Sequence, residues 1–157
     1  MNDGLIPDSD PIGLTTSHGQ MEWRFEHLIG GRVLRVTTRG IMDLDGRIEM
    51  MKALLAEATK IGARLFLVDH REVTVRLTTL DIYNLPQINA RLGLRGDERA
   101  AIVYAPHQKA DASFYEARAR NSGFTHRAFN NEHEAMRWLL AVPGGRGVTW
   151  RPAGTRN

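Results

Sequence analysis

Residues 65–71 read Leu-Phe-Leu-Val-Asp-His-Arg. Four large apolar side chains in a row, too few for a helix and followed at once by charge, are the pattern of a strand buried on both faces. Ala100-Ala101-Ile102-Val103-Tyr104 repeats the pattern. Strands of this kind need helices against them, and the segments around them have helical spacing. Before the first, Asp43 stands where a helix N-cap belongs. Leu44, Ile48, Met51, Leu55 and Ala58 then share one face, widened by Met50, Leu54 and Ile61, and Gly62 supplies a stop. After it, Thr78 and Asp81 have the spacing of a capping box, leading into a helix with Ile82, Leu85, Ile88 and Leu92 inward. Pro86 inside that helix predicts a kink or a break.

Toward the N-terminus, Met21, Trp23 and Phe25 alternate with Glu22, Arg24 and Glu26, a half-buried strand. Gly30-Gly31 makes a turn, because glycine reaches positive φ without a steric penalty, and Val33 to Thr38 returns as a β-branched strand. Toward the C-terminus, a helix is expected over 111–121 with Phe114 and Ala117 on its core face. A short strand over 124–129 follows. The last helix is capped by Asn131, with Ala135, Trp138 and Leu139 inward. The order is β-β-α-β-α-β-α-β-α. It predicts one α/β domain over 21–140: a two-layer βα superhelix on a mostly parallel sheet with an antiparallel N-terminal hairpin. Residues 1–20 and 141–157 lack periodicity and are expected to be mobile tails, with Trp150 the one large side chain in the second. The regular pattern opens at Met21, which stands as a candidate start.

The chain has 157 residues, enough for a single core without staples. It holds no cysteine, which excludes disulfides, Cys-ligated zinc, iron–sulfur clusters and a thiol nucleophile. No apolar run reaches the roughly 18 residues of a membrane span, and the first 20 residues do not read as a signal peptide. A cytoplasmic protein is expected. Lys and Arg number 21 against 18 Asp and Glu, a net charge of +3. The cations form no block, and no aromatic residues interleave with them, so the reading expects no nucleic-acid partner.

Ligands bind α/β sheets at the C-terminal ends of parallel strands. That rim is expected to hold Asp69, His70, Arg71, His107, Gln108 and Lys109, with Thr78 and Thr79 at a helix start. Arginine, lysine and free helix N-termini suit an anionic ligand. Equally, Asp69 can satisfy loop N–H groups while Arg71 pairs with a surface acid. No His-x-His, His-x3-His or His-Glu-x2-His spacing supports a metal shared by His70, His107 and Asp69. His126 and His133 read as surface or capping residues. Ser113 lies inside a helix without a nucleophile elbow, and no dinucleotide or phosphate-loop motif follows a strand. No catalytic residue, metal or cofactor is expected. Met50, Met51 and Leu54 lie on the long helix and offer an adaptable apolar pocket, or plain core.

From Trp23 to Leu139 the chain resembles the SpoIIAA-like group of the STAS superfamily, related in fold to anti-sigma-factor antagonists. The resemblance is carried by the opening strand pair before a long helix, by LFLVDHR, by AIVYAP, and by the closing AFNNEHEAMRWLL. It implies a bacterial regulatory protein without catalysis that binds protein partners. In anti-sigma antagonists a serine at the start of the helix after the central strand is phosphorylated. Here the matching stretch is Arg76-Leu77-Thr78-Thr79-Leu80. It holds no serine, so Thr78 or Thr79 would stand in. The expected function is a protein-interaction module. The alternative is a carrier or sensor of a lipid or other small apolar or anionic molecule, and an enzyme built on His70, His107 and Arg71 is the third reading. A homodimer stays open.

Overall fold

The computed structural model describes residues 15–141. The remainder of the two expected tails, Trp150 included, lies outside the described residues. The elements run β1 (Thr15–His18), β2 (Met21–Leu28), β3 (Val33–Met42), α1 (Leu44–Ile61), β4 (Leu65–Val75), α2 (Thr79–Leu92), β5 (Arg99–Val103), a 3-10 turn (Pro106–Gln108), α3 (Lys109–Asn121), β6 (Thr125–Phe129) and α4 (Glu132–Leu140). They form one six-stranded sheet in the order β1-β2-β3-β4-β5-β6. β1, β2 and β3 pair antiparallel, and β3 to β6 pair parallel. Part of the expected N-terminal tail is therefore a strand. Thr15–His18 has no apolar alternation, and it is held as an edge strand by backbone pairing to 21–24.

The local signals explain the joints. The Asp43 side chain accepts from the Gly46 N–H, and Gly62 closes α1 at φ 73°. Gly40 is needed where β3 turns past Gln20. Its φ is +90°, and a Cβ there would stand 2.1 Å from the Gln20 carbonyl oxygen. The Thr78–Asp81 capping box opens α2, and the helix runs on through Pro86 rather than breaking. Pro86 and its neighbour Leu85 are both buried, so packing holds the turn that the missing N–H weakens.

Strand alternation sorts the core into two. Leu34, Val36, Phe66, Val68 and Ala100 face α1, α2 and α3. Val33, Leu67, Ala101 and Val103 face α4. Three successive crossovers step the same way along the sheet, from β3 to β6. One handedness therefore puts α1, α2 and α3 on one face. α4 closes no crossover within the sheet and lies on the other face, where Ala135, Met136, Leu139 and Leu140 bury. α3 turns differently from the expectation. Tyr115 and Ala119 are buried, Phe114 is half-buried and Ala117 is exposed, because the buried stripe runs one residue later on the helix.

Candidate functional site: a cavity under three helices

β4 is longer than the apolar run that announces it, and this moves the expected rim. Asp69, His70 and Arg71 lie in mid-strand, level with the last residue of β5, Val103. Pairing with β3 steps from Thr37–Asp69 to Arg39–Glu72, so His70 and Arg71 together oppose Thr38, a β-bulge. The Thr38 hydroxyl donates to the Asp69 carbonyl at 3.0 Å. Its single proton is thus used, so the 2.8 Å contact with His70 is a donation from His70 Nδ1–H.

The pleat sends neighbours to opposite faces. Asp69 turns toward the α4 side. There its carboxylate accepts from the Arg71 backbone at 3.1 Å, from Arg71 Nη2 at 2.8 Å and from Arg35 Nη2 at 3.3 Å. Arg35 also pairs with Glu132 of α4 at 2.6 Å. Burial raises the Asp69 pKa, but the Arg71 hydrogen bonds and the Arg71 and Arg35 charges outweigh it, and the result lies below the ordinary carboxylate value. Asp69 and Arg71 are thus partners in an ion-pair network. His70 turns the other way, toward α1 and α3. Asp69 and His70 therefore serve opposite faces of the sheet, and Ser113 is exposed on α3. Thr78, Thr79, His107 and Lys109 are all exposed, and no contact among them gathers them into a site. Among the described residues no group of three or more acids and histidines is placed to hold a metal.

On the face of His70 lies a cavity of about 80 Å³ between the sheet and α1, α2 and α3. Met50, Met51 and Leu54 line it, with Phe66, Ile82 and Leu85. Its polar lining was not legible as a site from the sequence. Arg47, from the first turn of α1, is 6% exposed. It faces the Tyr115 hydroxyl, and no acid among the described residues pairs with it. Burial lowers the Arg47 pKa, with Tyr115 opposing. Asn89 Nδ2 donates to the Tyr115 oxygen at 3.1 Å, and Tyr115 meets His126 Nδ1 at 2.8 Å. His126 was expected at the surface. It is 5% exposed and stacked between Tyr115 and Phe124, because Phe124, just before β6, and His126, two residues on, point to the same inner face. Asn89 Oδ1 and His126 Nε2 are buried without a partner. Burial and the Arg47 charge, against the opposing pull of Asp69, hold the His70 pKa down to about 3. Burial and Arg47 hold His126 down to about 4. Both imidazoles are neutral at pH 7, and Arg47 is the buried cation of the lining. Gln108 closes one wall by donating to the His70 and Val73 carbonyls, each at 2.8 Å.

One signal for this chamber was present in the sequence. Arg47, Met51, Leu54 and Ala58 repeat at helical spacing, which places a charge on the buried stripe of α1.

No family model matches the chain, and no curated protein matches it. Among solved structures it is similar to an anti-sigma factor antagonist from Mycobacterium paratuberculosis. The identity is 14% and the TM-score 0.52, over 79% of this chain and 98% of that one. It is also similar to an uncharacterized protein of the DUF3478 family with a SpoIIAA-like fold from Shewanella loihica. There the identity is 18% and the TM-score 0.52, over 81% of this chain and 99% of that one. Among the described residues no helix is long and apolar enough to cross a membrane. The antiparallel entry into a parallel sheet, the three crossover helices on one face and these two likenesses agree: this chain has a SpoIIAA-like α/β fold.

Proposed function

We propose that this protein is a non-catalytic regulatory module that acts by binding another protein at the start of α2. The observation that carries the reading is a pair of exposed apolar side chains. Leu80 is 67% and Tyr83 45% exposed, on the first turns of one helix at i and i+3 spacing. Exposed large apolar groups set side by side, next to polar residues, are what a docking partner covers. Arg118 lies 3.7 Å over the Tyr83 ring and donates to the Tyr83 carbonyl, so the aromatic is held in place before a partner arrives. The antagonist named among the similar structures supports a protein as the class of partner.

The same helix start offers a switch. The Thr78 hydroxyl is engaged as the cap, accepting from the Asp81 N–H at 3.0 Å. Thr79 is exposed beside it. A phosphate on Thr79 would sit at the positive end of the α2 dipole and add about two negative charges next to Leu80.

The test takes a partner isolated with the tagged protein and measures its affinity by titration calorimetry. Leu80→Glu is expected to weaken binding at least tenfold. Lys60→Glu, at the far end of α1, should leave it within twofold. Equal effects from both variants, or none from Leu80→Glu, would remove this surface from the reading. Unchanged affinity in both Thr78→Glu and Thr79→Glu would remove the switch.

A further inference from the structure

We propose that the cavity under α1, α2 and α3 is a binding site for a small monocarboxylate with an apolar tail, its carboxylate held by Arg47. This site is separate from the α2 docking surface and does not depend on it.

The argument begins with an uncompensated charge. A guanidinium does not lose its proton in a protein, so the burial that lowers the Arg47 pKa does not neutralise it. A buried cation is costly unless an anion or a full set of acceptors meets it. Its neighbours here are the Tyr115 hydroxyl and two neutral imidazoles, and among the described residues no carboxylate pairs with it. The chamber therefore suits a negatively charged group.

The hydrogen-bond pattern has the same sign. The Tyr115 oxygen receives Asn89 Nδ2, and Arg47 is turned toward it. With its lone pairs engaged, the hydroxyl proton goes to His126 Nδ1. The neutral His126 ring then carries its proton on Nε2, the atom that is buried without a partner. Arg47 and His126 both line the cavity, and both bring N–H groups to it. Donors lining a chamber with one fixed cation match a carboxylate, and the planar guanidinium fork matches its two oxygens.

The remaining wall sets the tail. Met50, Met51, Leu54, Phe66, Ile82 and Leu85 are apolar, so a bare inorganic anion would leave most of the lining unmet. An apolar cavity of about 150 Å³ accommodates the six carbons of benzene, so about 80 Å³ takes a shorter chain, on the order of three to four carbons with the carboxylate included. Half-buried Leu77, Tyr104 and Ala112 and exposed Asp111 form the part of the lining nearest solvent and give the entrance. Asp111 stays at the solvent end.

The test is calorimetric titration of the full chain with butyrate, 1-butanol, acetate and inorganic phosphate, with thermal unfolding alongside. Saturable butyrate binding is expected, at least tenfold tighter than that of butanol, acetate or phosphate. In Arg47→Met, butyrate binding should fall at least tenfold, while the unliganded variant melts no lower than the parent because the uncompensated charge is gone. Arg47→Gln serves as a second variant with the same expectation for binding. Equal binding of butyrate and butanol, or butyrate binding that survives both substitutions, would overturn the assignment of Arg47. Phosphate binding as tightly as butyrate would overturn the apolar tail. No saturable binding of any probe would overturn the site, leaving the α2 docking surface untouched.

Discussion

At the scale of single residues, Asp69 is a structural carboxylate, although its position after an apolar strand makes it read as a site residue. It is 5% exposed and ties β3, β4 and, through Arg35 and Glu132, α4. Asp69→Asn removes the charge and leaves two guanidinium groups facing a neutral amide. Arg71 is partly exposed, so solvent screening reduces the cost. The expected loss is about 2–3 kcal/mol, measured by urea unfolding at pH 7. The sign with pH follows from the depressed folded-state pKa. The stabilisation is present above the unfolded value near 3.9 and is lost as pH falls through the folded value. The difference between parent and variant should therefore shrink in acid and be constant above about pH 5. The same scale explains why His70, expected beside Asp69 on one rim, does not share its site. Its side chain is one pleat step from Asp69, and that single step places it in a different chamber.

At the scale of elements, caps and stripes were legible wherever a local rule applies. Asp43, Gly62, Thr78 and Asn131 all stand where the structure uses them. What was missed depends on neighbours. The polar stretch 70–75 does not look like a strand, yet beyond the bulge its residues 72–75 pair with 39–42 of β3. α4 gives a clear case of an element held from outside itself. Its carbonyls at Trp138 and Ala141 accept from Arg99 of β5 at 2.7 and 3.1 Å, and the guanidinium lies 4.2 Å over the Trp138 ring. Helix C-terminal carbonyls need such partners. Arg99→Ala is expected to cost about 1–2 kcal/mol. It should also speed amide exchange in α4 more than in α1. Uniform exchange across both helices would show that the clamp is not what holds α4.

At the scale of the whole molecule, a helical layer of three elements encloses polar groups that a close-packed core would not tolerate. Burial holds the His70 pKa at about 3 and the His126 pKa at about 4, both below the unfolded value near 6.5. A lowered histidine pKa means that the unfolded chain binds more protons between those values. Stability is then full above about pH 6.5 and falls as pH drops toward 4. Between pH 7.5 and 5 the loss should be on the order of 2–4 kcal/mol in urea unfolding, and His126→Phe should flatten roughly half of it. A flat profile in the parent would contradict the burial of both rings. The sequence by itself determined the order of elements from β2 onward, the helix caps, the antiparallel entry and a mostly parallel α/β architecture, because strand runs, helical stripes and capping residues act over a few neighbouring positions. Only the tertiary structure decided that Asp69 and His70 serve opposite faces, that β4 bulges against Thr38, and that Arg47, Asn89, Tyr115 and His126 meet. Those four come from α1, α2, α3 and β6, and their chemistry depends on being withdrawn together from water. No local pattern encodes that condition, since it exists only once the three helices close over the sheet.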